Sequence, residues 1–369
     1  MGFTEYLPMN IYVFLVLQCF ICCRLLADSV TLPPATLDYP QIIAVDGVVF
    51  GATGNAGSNF ISLPSYDAQD QPPSLLQEDK ADARWAAGAW LQATEGRWSL
   101  TAGRGQREWY RGNQDAGQLW LDLHSDVPLS RSYAPEALVT RLQTDWVGVS
   151  YTAPASVGQV EGQLSLQVRL LQPRDLQMGE AIGTVSNNDV YTGMLKIISA
   201  RSTEGASGWA IDTGANATLA PRLRASVMVE GIAGEINWRK VEVSDTYVVS
   251  PGVFTDADGF LHDFWIASGM RWSRQFTLKI DPIVTATLNY QNDPEISVIF
   301  RHEQGQNNVT LFITRPGKIN TTVGISPQYG NCSVGFTGND GGVVVSFDEW
   351  PGDHPRNLKL NLYMRLLKF

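Results

Sequence analysis

Val160-Glu161-Gly162-Gln163-Leu164-Ser165-Leu166-Gln167-Val168-Arg169-Leu170 alternates without interruption. The even positions are apolar or glycine, and the odd positions are polar or charged. Successive side chains of a β-strand point to opposite faces, so this run predicts a strand with one apolar face and one polar face. The same period recurs at Leu119–Leu123, Leu223–Val229, Phe276–Ile280, Ile296–Phe300, Val309–Ile313, Val343–Phe347 and Leu358–Leu366. Turn chemistry separates these runs, for example at Glu95-Gly96, Ala220-Pro221, Asn292-Asp293-Pro294 and Arg315-Pro316-Gly317. Many short-turned strands of similar length predict a meander, a barrel or a sandwich.

Length and composition favour a barrel in lipid. Several runs reach about 9–11 residues, the span a tilted strand needs to cross a bilayer, whereas soluble strands average about 5–6. Only 17% of the residues are charged, against about 25% in soluble domains. Aromatic residues fall near the predicted strand ends: Trp85, Trp98, Trp109, Tyr110, Trp209, Trp238, Trp265, Trp272, Tyr290, Trp350 and Tyr363. Placed so, they suit the two interfacial girdles of a transmembrane barrel. The expected fold is an all-β antiparallel transmembrane barrel of roughly 12–14 strands. In it Leu164, Leu166 and their kin face lipid, and Gln163 and Gln167 face the lumen. A secreted soluble β-sandwich acting as a binding module is the alternative.

Ahead of the periodic region lie two other segments. Ile11–Cys23 is apolar apart from Gln18 and ends at Arg24. It is too short to span a bilayer as a helix and reads as the core of a signal peptide over residues 1–27, cleaved after Ala27. Residues 28–82, rich in Pro, Gly, Asp and Gln, read as an irregular N-terminal segment, with a short helix over Ser74–Ala83. The barrel is then expected over 83–369. Cleavage leaves Cys332 alone, which can form neither an internal disulfide nor a zinc site.

The net charge of −10 and the scattering of Lys and Arg exclude nucleic acid as the partner class. Three motifs suggest chemistry. Phe50–Gly57 resembles a dinucleotide-binding glycine turn, but Pro64, Pro72 and Pro73 stand where the crossover helix should run. Ile211-Asp212-Thr213-Gly214-Ala215 resembles the turn of an aspartic protease, yet only one copy exists where two carboxylates must share a proton. Asp256-Ala257-Asp258-Gly259, with Asp263 nearby, fails the register of a calcium loop because Phe254 takes its first position. His124, His262, His302 and His354 are scattered singly. The Asn-x-Ser/Thr matches at Asn216, Asn308, Asn320 and Asn331 matter only for a eukaryotic source. No catalytic, cofactor-binding or metal-ligating residues are therefore assigned, and no enzyme activity is expected.

The stretch Gly208–Ala215, the turn and strand Ala220–Val227, and Gly234–Lys240 together resemble a hairpin of bacterial outer-membrane barrels related to the long-chain fatty-acid transporters. The chain also ends Asn361-Leu362-Tyr363-Met364-Arg365-Leu366-Leu367-Lys368-Phe369. This resembles the aromatic-terminated last strand of such barrels, with Tyr363, Leu367 and Phe369 in the parity read by the barrel-assembly machinery. The resemblance implies an outer-membrane location, outer-membrane lipid and the assembly machinery as partners, residues 28–82 as a plug of the lumen, and a hydrophobic small-molecule cargo. It implies passive transport or an assembly- or secretion-associated role. Which hydrophobic molecule is carried has no motif.

Overall fold

The computed structural model describes residues 47–58, 80–124, 131–158, 160–187, 191–202, 205–250, 253–255, 261–263, 266–303, 306–327, 331–338, 341–347 and 357–367. The signal peptide, residues 28–46 and 59–79 of the segment expected over 28–82, Trp265, Trp350 and Phe369 lie outside the described residues.

The alternating runs form strands in meander order. They are β1 (Gly47–Ser58), β2 (Lys80–Glu95), β3 (Trp98–Asn113), β4 (Glu136–Val157), β5 (Val160–Asn187), β6 (Tyr191–Ser202), β7 (Ala206–Ala220) and β8 (Leu223–Ser250). After a small hairpin of β9 (Val253–Thr255) and β10 (Leu261–Asp263) come β11 (Ile266–Lys279), β12 (Ile283–Tyr290), β13 (Glu295–Glu303) and β14 (Gln306–Arg315). The wall ends with β15 (Asn320–Ser326), β16 (Asn331–Thr337), β17 (Gly341–Phe347) and β18 (Asn357–Leu367).

Two staves are each made of two strands laid end to end. β5 pairs β7 along its first half and β6 along its second. β8 likewise pairs β12 low and β11 high. Counting each such pair once gives a 14-strand ring, closed where β18 pairs antiparallel with β1 from Val48↔Leu367 to Gly57↔Asn357. Closure leaves no sheet edge within lipid, where an unpaired backbone group has no water to bond.

The turns after β2, β4, β7, β12, β14 and β16 are short, and β1 starts and β18 ends on that same side. The longer connections, including residues 114–135 and 251–265, lie at the other end. This is the asymmetry of outer-membrane barrels, with short periplasmic turns and longer outer loops. The wall is also lopsided. β5 and β8 have 28 residues each, whereas β15, β16 and β17 have 7.

The expected faces are present. Leu164, Leu166, Val168 and Leu170 are 44–68% exposed, whereas Gln167 and Arg169 are buried. At about 3.3 Å per residue and a tilt of about 40°, the run from Val160 to Leu170 climbs about 25 Å, the height of a barrel's apolar band. Leu358, Leu360, Leu362, Met364 and Leu366 continue that outer face on β18. Trp98 and Tyr151 lie at the short-turn end with ring centroids 4.7 Å apart, and Trp85 and Trp209 stand exposed further up the wall.

Three expectations are corrected. Gly47–Ser58, read as part of an irregular segment and as a glycine turn, is a wall strand. Gly51 accommodates a neighbour: a Cβ there would stand 2.2 Å from the Trp90 ring, which lies over it from β2. Lys80–Ala83 is strand, not the end of a helix, and residues 74–79 lie outside the described residues. Leu119–Leu123, read as strand, belongs to the helix α1 (Gln114–His124). Ala116, Leu119, Trp120 and Leu123 fit helical spacing while Leu119, Leu121 and Leu123 fit alternation, and Asn113 decides the matter by capping. Its Oδ1 accepts the Ala116 N–H at 2.8 Å. Trp120 then packs outside the wall on Ala81, Ala83 and Tyr110.

Candidate functional site: the barrel lumen

Side chains of the opposite parity from the lipid face converge on the lumen. Toward the short-turn end this surface is polar: Gln92, Ser99, Thr101, Ser150 and Gln167 are all buried. Gln92 Nε2 donates to Thr94 Oγ1 at 3.0 Å, which lies 2.9 Å from Ser99 Oγ. Further along each strand the surface turns apolar. Trp90, Trp146 and Leu171 come from β2, β4 and β5; Ile236 and Trp238 come from β8; Phe276 comes from β11 and packs on Trp238 with ring centroids 5.8 Å apart. Trp146 lies against Gly103, where a Cβ would be 2.5 Å from its ring.

An ion pair marks the boundary between the two zones. Arg169 Nη2 lies 2.6 Å from Asp212 Oδ1, with side chains 0% and 1% exposed. The same oxygen accepts the Gly231 N–H at 2.7 Å. The register slips here, passing from Thr213↔Val229 to Ile211↔Ala233, so β8 bulges opposite Asp212. Gly231 supplies the φ of +64° that the bulge requires. Beside it, Ile280-Asp281-Pro282 interrupts the stave between β11 and β12. Asp212 is thus a lumen-facing anchor of a wall bulge, its carboxylate held by a guanidinium and a backbone N–H.

A second ionic contact spans the lumen. Arg107 Nη1 of β3 lies 3.0 Å from Glu303 Oε1 of β13, and Arg301 Nη2 lies 3.1 Å from Glu303 Oε2. Arg107 shares the inward parity of Thr101 and Trp109; Arg301 and Glu303 oppose the outward Ile296 and Val298.

The sequence-predicted residues are placed as follows. Tyr363 faces the lumen, where its ring lies over Gly342 of β17. Leu367 is 58% exposed beyond a register shift opposite Val48 and Val49. The two therefore do not share a face as simple alternation predicts. Of the aromatics assigned to girdles, Trp109 and Trp238 are buried on the lumen side instead, because their parity on β3 and β8 opposes that of the lipid-facing residues. Gly54 stands in β1 with open space before it. Residues 256–260 lie outside the described residues, and no cluster of metal-ligating side chains occurs among the described residues. Sequence reading missed both ion pairs. Arg169 was visible on the polar face, but nothing local points it to Asp212, and Arg107 and Glu303 are 196 residues apart.

A closed antiparallel ring with a lipid-type band outside and a mixed lumen inside defines a transmembrane β-barrel of the outer-membrane class. No protein-family model matches the chain, and no curated protein does. Among solved structures it is similar to the deltaS2S3 mutant of the monoaromatic hydrocarbon channel TodX, at TM-score 0.46 and 11% identity over 90% of this chain and 91% of that one. It is also similar to the Pseudomonas putida toluene transporter TodX, at TM-score 0.41 and 11% identity over 91% and 93%. The Ralstonia pickettii toluene transporter TbuX follows at TM-score 0.26 and 8% identity over 87% and 90%. At such identities and TM-scores these likenesses decide nothing about cargo; the closed ring is seen in this chain directly.

Proposed function

We propose that the chain is an outer-membrane barrel that lets small hydrophobic molecules pass without energy input. The observation that carries this reading is the apolar lumen surface of Trp90, Trp146, Leu171, Ile236, Trp238 and Phe276 inside a ring whose outer face is also apolar. A water-filled channel for polar solutes is lined by polar residues throughout, whereas here the polar end of the lumen gives way to an apolar cluster that offers a guest dispersion contacts. Outer-membrane lipid would surround the band, and the barrel-assembly machinery would insert the chain.

The test is uptake. Cells expressing the protein should take up an apolar fluorophore such as N-phenylnaphthylamine faster than cells without it. Ala200→Trp, which crowds the apolar surface, should slow that uptake while the barrel still shows a heat-dependent shift on a gel. Equal uptake with and without the protein would refute the proposal.

A further inference from the structure

We infer that Arg107, Glu303 and Arg301 form an ionic constriction that bridges the lumen and limits what passes. The inference rests on the reading of the chain as a membrane channel and names a narrow point in it. Five staves separate β3 from β13 on one side of the ring and seven on the other, so the two strands stand nearly opposite. A round ring of fourteen strands spaced about 4.8 Å and tilted about 40° would be about 28 Å across. A 3.0 Å contact between an arginine and a glutamate on opposite walls draws them far closer than that. The barrel is therefore pinched at this level.

The chemistry suits a bridge that holds yet yields. Side-chain exposure is 15% for Arg107, 20% for Glu303 and 19% for Arg301. These values lie between the buried Arg169–Asp212 pair and a free surface pair, so both desolvation and screening are partial. Glu303 also ends β13 at its tight connection to β14, on the low side of the wall. Arg107 stands on the tall side, directly opposite Leu142 of β4 and two residues from the buried Trp109. A molecule leaving the apolar surface of the tall wall meets this bridge. Two guanidiniums share one carboxylate.

Planar-bilayer conductance of the full-length chain tests the bridge. The native barrel should conduct weakly. Arg107→Gln and Glu303→Gln should each raise single-channel conductance several-fold, and the double variant should conduct no more than the more open single one. Glu303→Gln should also shift the reversal potential toward anions, because it removes a negative charge from the lumen. Arg104→Gln, on the outer face, should change neither. If the singles leave conductance unmoved, or if their effects add, the constriction is refuted while the channel reading stands. If the chain stays soluble and never inserts, the channel reading falls and the constriction with it.

Discussion

Leu166 and Gln167 are neighbours in sequence and stand in opposite surroundings. Leu166 is 53% exposed on the outer face, and an arginine there would meet hydrocarbon at a cost of about 2–4 kcal/mol. Leu166→Arg should therefore lower the folded fraction on an unheated gel. The polar face is not uniformly tolerant, however. Gln163 is exposed and should accept arginine, whereas Gln167 is buried two residues from Arg169, where a second cation would crowd the first. Gln167→Arg should fail as Leu166→Arg does; equal behaviour of Gln163→Arg and Gln167→Arg would contradict these placements. The Arg169–Asp212 pair has the sharpest expectation. Removing one partner of a buried pair strands the other charge, at about 3–5 kcal/mol. Asp212→Ala should therefore cost more than replacing both residues with a matched apolar pair, as measured by urea unfolding in detergent. If the single variant unfolds like the native protein, the anchor role is wrong.

The strands show which features of an element were legible in the sequence. Val160–Leu170 and Leu358–Leu366 were read correctly because one face meets lipid and the other does not, and that contrast imposes the alternation. β1 was missed because its glycines, of which Gly51 clears space for Trp90, leave no hydrophobic period to read. The helix α1 was missed because its apolar spacing fits both periods, and the deciding cap lies in the preceding strand. Asn113→Ala should remove that cap at about 1 kcal/mol and loosen the helix first, seen as faster proteolysis of residues 114–135. Tyr133, just before β4, adds a pH dependence there. Its hydroxyl donates to Asp122 of α1, and burial together with that carboxylate pushes the phenol above its ordinary range. The neutral phenol is thus favoured in the fold. Its stabilisation is complete below the ordinary phenol pKa of about 10 and is lost as pH rises through the higher folded value. The melting difference between the native chain and Tyr133→Phe should be constant up to about pH 9 and shrink above about pH 10. A difference that grows with pH would show that the Asp122 contact is not what holds Tyr133.

At the scale of the whole molecule, every strand depends on one long-range event, the pairing of β18 with β1. Until it forms, both strands expose rows of unpaired N–H and C=O groups, and either edge can pair with another sheet. This is the physical ground for proposing that the chain end is read by the assembly machinery through Phe369, Leu367 and Tyr363. Exposed Leu366 and Leu367 flank the register shift opposite Val48 and Val49, so the last turn of β18 departs from strict alternation where such a signal would sit. Tyr363, lying over Gly342 on the lumen side, has a packing role that Leu367 does not. The three residues should therefore separate by experiment. Tyr363→Ala should weaken the finished barrel both in cells and in detergent. Deleting Phe369 should leave refolding in detergent near normal and sharply reduce the amount reaching the cell surface, because an edge that is captured slowly stays open to aggregation. If the Phe369 deletion lowers refolding and surface level in proportion, the residue contributes packing alone. The assembly signal would then have to lie in the lipid-facing row of Leu358 to Leu366, the stronger alternation in that strand.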